Sequence, residues 1–166
     1  MGCGREYKCK ECGKRYSVAL GGGFSYPKVY ERTINEISDG EYGPELKAVF
    51  ESTPYAAINA GKVLFYCSKC KSWETGQDLS IYAPNNVEQL MAKEFGAKTV
   101  EEWGGLPYAM KHLLEEDFHL LKEDVHYCKN CGAVMDKIDD VKDFSVLPCP
   151  KCGTENEPGK ALLMWD

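Results

Sequence analysis

Four copies of Cys-x-x-Cys account for eight of the nine cysteines: "CKEC" (Cys9, Cys12), "CSKC" (Cys67, Cys70), "CKNC" (Cys128, Cys131) and "CPKC" (Cys149, Cys152). Two residues between thiolates let one tight turn aim both sulfurs at a single ion. Zinc takes four ligands near tetrahedral positions with sulfur about 2.3 Å away, so two such turns fill one shell. Glycine follows three of the pairs (Gly13, Gly132, Gly153), where a chain turning around a metal needs positive φ. Lys71 stands in that place after Cys70, which makes the second turn the least regular. Turn amides facing the sulfurs, with Lys10, Lys69, Lys129 and Lys151 nearby, offset thiolate charge. The expectation is two Zn2+ ions held by these eight residues. Sequential pairing, first turn with second and third with fourth, is the arrangement expected, because each site then closes locally. An interleaved arrangement, as in cross-braced fingers, would instead fuse the two halves.

The stretch "YCKNCGAVMDKIDDVKDFSVLPCPKCG" resembles a zinc ribbon, in which two Cys turns sit at the ends of short hairpins. Residues 132 to 148 separate its turns, within the range that reads as a zinc site. The likeness covers about residues 120–166. The first half, from "YKCKECGKRY" to "LFYCSKCKSW", is similar to a zinc ribbon at its two ends only, because residues 13 to 66 lie between its pairs. The chain as a whole resembles bacterial hypothetical proteins, and that resemblance implies no activity. Rubredoxin-like iron uses the same four-thiolate shell and a similar pattern, so iron is the minor alternative; the closing turn lacks the aromatic packing expected around iron. A thioredoxin-type dithiol needs one Cys-x-x-Cys between a strand and a helix, which four copies do not fit. Disulfides suit neither the spacing nor a reducing compartment.

Other chemistry is sparse. His112, His119 and His126 stand seven apart, about 10 Å in rise along a helix, too far to share one ion. His126 precedes Cys128 by two residues and would shape the surroundings of that site. Asp139 and Asp140 sit where some transcription-elongation ribbons carry an acidic pair, but Asp is also a good turn residue and the partner arginine is missing. No His-Glu-x-x-His, Gly-x-Ser-x-Gly or phosphate-binding glycine loop occurs, and "GGG" at 21–23 reads as a joint. Cys3 is the odd thiol, read as a bystander on a tail rather than a reactive group.

The elements that must position the cysteines follow from periodicity and caps. "SYPKVYERTINEISDG" is a helix, with Pro27 in its first turn, Tyr30, Ile34 and Ile37 on one face and Gly40 at its end. "GPELKAVFES" is a second, shorter helix, and "KVLFYC" is a strand running into the second turn. Asn86 caps "VEQLMAKEF", which Gly96 ends; Thr99 and Glu102 form a capping box; Pro107 opens a further helix carrying Met110, Leu113 and Leu114. The end of "FHLLKEDVHY" reads as a strand. The fold class expected is a small, metal-bound α+β protein. Its parts are an N-terminal ribbon over 1–84 with a helical insertion at about 25–60, a helical bridge over 85–119, and a C-terminal ribbon over 120–166.

A chain of 166 residues is long enough for one ordinary domain or two small ones. Apolar runs are too short to span a membrane, and the N-terminus carries neither a secretion signal nor a myristoylation motif, so a cytoplasmic location is expected. Net charge is −6, and two Zn(Cys)4 centres would take it to about −10. That balance opposes broad nucleic-acid binding. The basic N-terminal end is the exception, with Tyr7, Tyr16, Phe24 and Tyr26 interleaved as possible stacking groups. The function expected is a non-catalytic zinc-binding interaction or regulatory protein that meets a protein partner or its own copy. A transcription-associated nucleic-acid binder and an iron redox protein are the alternatives.

Overall fold

The computed structural model describes residues 2–140, 146–157 and 159–165, and side chains within these except those of Gly2 and residues 162–165. The chain forms two compact units, neither continuous in sequence. The first comprises Met1–Phe24, Gly61–Gln77 and Val125–Asp166, and the second Ser25–Ala60 and Asp78–Asp124.

In the first unit, β1 (Gly2–Lys8) and β2 (Arg15–Gly21) form an antiparallel hairpin in register from Gly2↔Gly21 to Lys8↔Arg15. The other edge of β1 pairs with β9 (Lys160–Trp165), and β2 meets β3 (Ala57–Tyr66) through Gly21↔Lys62. β3 pairs with β4 (Trp73–Pro84), and β8 (Asp136–Ile138) lies along β3 from Leu64 to Tyr66. Single bridges Tyr127↔Val134 and Pro148↔Glu155 flank the third and fourth Cys turns. Every Cys-x-x-Cys turn therefore caps an antiparallel pair. Two apolar clusters lie beneath: Tyr7, Val18, Leu20, Leu64 and Leu147, and Val63, Phe65 and Met135 with Cys67 and Cys128.

The second unit holds α1 (Tyr26–Asp39), α2 (Pro44–Ser52), α3 (Val87–Met91), the small hairpin of β5 (Glu94–Phe95) and β6 (Lys98–Thr99), α4 (Val100–Trp103), α5 (Lys111–Asp117) and β7 (Phe118–Lys122). β7 pairs with the end of β4, from Pro84↔Phe118 to Ile81↔Lys122. α1 buries Tyr26, Tyr30, Thr33 and Ile37, a spacing that keeps one helical face inward. Pro27 sits in its first turn and Gly40 closes it at φ +82°. One core joins Tyr30 and Ile37 to Ile58, Ile81, Leu90, Leu113 and Leu114.

Several expectations are corrected. The insertion at 25–60 and the bridge at 85–119 share that single core, so they are one body and not two consecutive parts. The helix expected to run through Phe95 stops at Met91. Lys93 gives its carbonyl to Val100 N–H, and Gly96 at φ +69° turns Glu94–Phe95 back onto Lys98–Thr99. The helix expected from Pro107 begins at Lys111 instead. In the run 118–127 the regular strand is Phe118–Lys122, at its start. The capping box is as expected: Thr99 Oγ1 accepts from Glu102 N–H while the Glu102 carboxylate accepts from Thr99 N–H.

Candidate metal centres

The four Cys turns share one backbone design. In each, the first Cys donates its N–H to the carbonyl five residues on: Cys9 to Lys14, Cys67 to Ser72 and Cys128 to Ala133 at 2.8 Å, Cys149 to Thr154 at 2.9 Å. The residue four on donates back to that Cys carbonyl, and it always has positive φ: Gly13 +69°, Lys71 +59°, Gly132 +69°, Gly153 +72°. Lys71 thus adopts the glycine conformation at a steric cost of about 1 kcal/mol. The irregular sequence gives a regular turn.

These turns meet in two groups of four sulfurs, all within 4.8 Å of one another in each group. Cys9 and Cys12 join Cys149 and Cys152, and Cys67 and Cys70 join Cys128 and Cys131. Pairing is nested, which overturns the sequential expectation of one site per half, and with it the two separate ribbons. Nor is it the cross-braced alternative. Local closure favours sequential pairing only weakly, since lengthening a loop sevenfold costs about 2 kcal/mol. Placing β1 between β2 and β9, and β8 on β3, brings distant turns together. Burial of Leu64, Phe65, Met135 and Leu147, each contributing about 1.5–3 kcal/mol, outweighs that closure term.

Across the turns, sulfurs stand 3.5 Å apart (Cys9–Cys152) and 3.7 Å apart (Cys12–Cys149) in the outer site. In the inner site they stand 3.5 Å apart (Cys67–Cys131) and 3.4 Å apart (Cys70–Cys128). A disulfide needs ~2.05 Å. Four bonds of ~2.3 Å from a central ion set tetrahedral edges of ~3.8 Å. The spacing is compatible with a four-sulfur metal site, and all nine cysteines are unbridged. The first Cys of every turn is buried, while Cys70 and Cys152 are exposed.

Hydrogen bonds set unequal acidities. Ser72 Oγ lies 3.0 Å from Cys70 Sγ and 3.2 Å from Cys128 Sγ; its hydroxyl is the main influence drawing the Cys128 thiol down to about 6. The side chain and then the backbone of Thr154 draw Cys152 down to about 6. The N–H groups at Lys14 and Ala133 favour the thiolates of Cys12 and Cys131. Desolvation and the crowding sulfurs outweigh them, and both thiols are pushed up to about 11. Each site therefore mixes ready thiolates with a thiol that an entering ion must deprotonate.

Around the outer site, Asn156 is buried and accepts from Lys10 N–H through Oδ1 (3.2 Å), while its Nδ2 donates to Tyr16 Oη (2.9 Å). Tyr16 donates to the Leu147 carbonyl (2.7 Å) and Trp73 Nε1 to that of Pro148 (2.8 Å), just ahead of Cys149. Tyr16 also stacks on Tyr7 at 5.0 Å. The aromatic packing that the closing turn lacks in sequence is thus supplied by β1, β2 and β4. Beside the inner site, His126 stacks on Phe65 at 4.1 Å and meets Glu74 at 2.5 Å, while Lys129 donates to the same carboxylate at 2.7 Å. His126, then Lys129, hold Glu74 below the usual carboxylate range.

The remaining candidates do not gather. His112 lies on α5, and His119 on β7 with Nδ1 2.9 Å from Asn85 Oδ1. Asp139 and Asp140 follow β8 and belong to neither cluster. Cys3 is in β1 opposite Leu20, packed against a core cluster and not on a tail. Of the aromatic residues suggested for base stacking, Tyr7 and Tyr26 are buried and Tyr16 is half-buried, while Phe24 is 85% exposed. Sequence reading missed Ser72, Thr154 and Asn156. The shared signal was a hydroxyl two residues after the second Cys in "CSKCKS" and "CPKCGT". In the second unit a groove of about 570 Å³ is lined by Tyr30, Ile34, Phe95, Trp103 and Tyr108 among others. No helix among the described residues is long and apolar enough to cross a membrane.

No protein-family model matches this chain, and neither a curated protein nor a solved structure matches it.

Proposed function

We propose that the chain is a zinc-binding interaction protein whose two ions are structural, each saturated by four thiolates. The observation that carries this is the pair of four-sulfur cages, with cross-turn separations of 3.4–3.7 Å. Zinc has no geometric preference of its own and accepts such an all-sulfur tetrahedron. A four-thiolate shell leaves no open position for water or substrate, so the ions hold the turns and the surface does the work. A protein partner suits that surface better than nucleic acid. The chain is acidic, Tyr7 and Tyr26 are buried and so withdrawn from base stacking, and the second unit offers an apolar, aromatic-walled groove. The setting is the cytoplasm, where thiols stay reduced.

Iron at the outer site is the second reading, favoured by the Tyr7–Tyr16–Trp73 group beside Cys149. Elemental analysis of protein purified without added metal decides between them. Two equivalents of zinc and a colourless solution are expected. Stoichiometric iron with visible thiolate-to-iron absorption would establish the second reading instead.

A further inference from the structure

Ser72 does something at the inner site that its counterpart does not do at the outer one. Its Oγ sits 3.0 Å from Cys70 Sγ and 3.2 Å from Cys128 Sγ, so one hydroxyl spans sulfurs from both turns that build the site. Those two sulfurs are themselves 3.4 Å apart, and Ser72 lies over that edge of the cage. Thr154, at the same position of its turn, reaches Cys152 Sγ (3.3 Å), a sulfur of its own turn. The side-chain ties around the outer site are Asn156, on the Lys10 N–H and the Tyr16 hydroxyl, and Tyr16 and Trp73, on the Leu147 and Pro148 carbonyls; these bonds go to backbone groups and a ring hydroxyl and not to a sulfur.

This difference bears on how an ion leaves. A four-thiolate zinc centre carries a net charge of −2, and departure starts when one sulfur lets go. Cys70 is the exposed ligand of the inner site, where a competing chelator or proton arrives first. The single Ser72 hydroxyl proton lies within reach of both Cys70 Sγ and Cys128 Sγ, so it can turn to whichever thiolate carries the more charge and would hold a loosened sulfur at the cage edge. Lys129, between Cys128 and Cys131, is also fixed by Glu74 on β4, which holds the third turn against the second.

We infer that Ser72 is a positioning residue that latches the inner site, so that the two ions exchange in order, outer before inner. Loss of the outer ion frees the turns at 9–12 and 149–152 while the inner cage stays closed. The chain then has a graded response to zinc supply. This rests on the proposed identity of the sites as zinc centres.

The test uses the full chain loaded with zinc and mixed with excess 4-(2-pyridylazo)resorcinol, following release by absorbance. Uptake is measured first, because fewer than two equivalents would defeat the zinc reading itself, independently of Ser72. With two bound, wild type should release them in two phases. Cys152→Ser, lacking the outer site, should keep the slow phase alone. Adding Ser72→Ala should speed that phase at least tenfold, in line with the ~10–100-fold effects of residues that support metal ligands. Ser72→Thr, which keeps a hydroxyl, should restore it. Release from Ser72→Ala at the wild-type rate, or a slow phase assigned to the outer site, would overturn the inference.

Discussion

At the scale of single residues, the sites are built from strained or orienting positions as much as from sulfur. Lys71 is the clearest case, because it holds φ +59° where three other turns use glycine. Lys71→Gly should stabilise the chain by up to about 1 kcal/mol, the left-handed penalty less the entropy of a more flexible unfolded state. Gly132→Ala should lose about 1 kcal/mol; a Cβ there meets nothing within 4 Å, so the cost is conformational. Urea unfolding of the zinc-loaded proteins measures both, and equal stabilities would count against the shared turn geometry.

Protons are the second residue-scale lever. Cys12 and Cys131, both pushed up to about 11, are protonated at neutral pH in the metal-free cages, so loading expels a proton from each. Protons thus compete with zinc, and apparent affinity must fall as pH falls, about tenfold per pH unit for each proton displaced. Titration in weakly buffered indicator at pH 7 should report at least two protons released per chain. Uptake without proton release would refute the assignment.

At the scale of elements, each Cys turn is the tip of an antiparallel pair, and strand order decides which tips meet. Here lies the boundary of what could be read from the residues. The turns were legible, because spacing, glycine and caps are local. Gly40, the Asn86 side chain and the Thr99–Glu102 box act within a few residues and stand as read. β1 was not legible. "GCGREYK" has two glycines and three charged side chains, a poor strand by composition, yet it pairs on both edges because β2 and β9 flank it. Without β1 in place, nothing local says that Cys9 will meet Cys149. The aromatic support of the outer site was hidden for the same reason, since Trp73 and Pro148 are 75 residues apart. Asn156 belongs to this scale too. Asn156→Ala would strip partners from the Lys10 N–H and Tyr16 hydroxyl and should cost about 1–3 kcal/mol. Its readout is a lower unfolding midpoint with the zinc count unchanged.

For the whole molecule, the proposed zinc centres and the helical apolar core fall in different units. All eight clustered cysteines lie in the first unit. The core of the second, from Tyr26 and Tyr30 to Leu114 and Phe118, contains no cysteine. A structural zinc site contributes about 10–16 kcal/mol, as much as the whole stability of a typical domain, so the first unit should not survive chelation. The second should. Stripping zinc ought to leave the far-ultraviolet signal of α1 and α2 while the environment of Trp73 is lost. Collapse of the helical signal on chelation would contradict that division.

The nested pairing itself is tested most directly by counting ions in the double variant Cys12→Ser/Cys152→Ser by native mass spectrometry. Both substitutions fall in the outer site, so one tightly held zinc should remain, in the cage of Cys67, Cys70, Cys128 and Cys131. Sequential or cross-braced pairing would place the two substitutions in different sites, and a variant retaining no tightly bound ion would contradict the structure described.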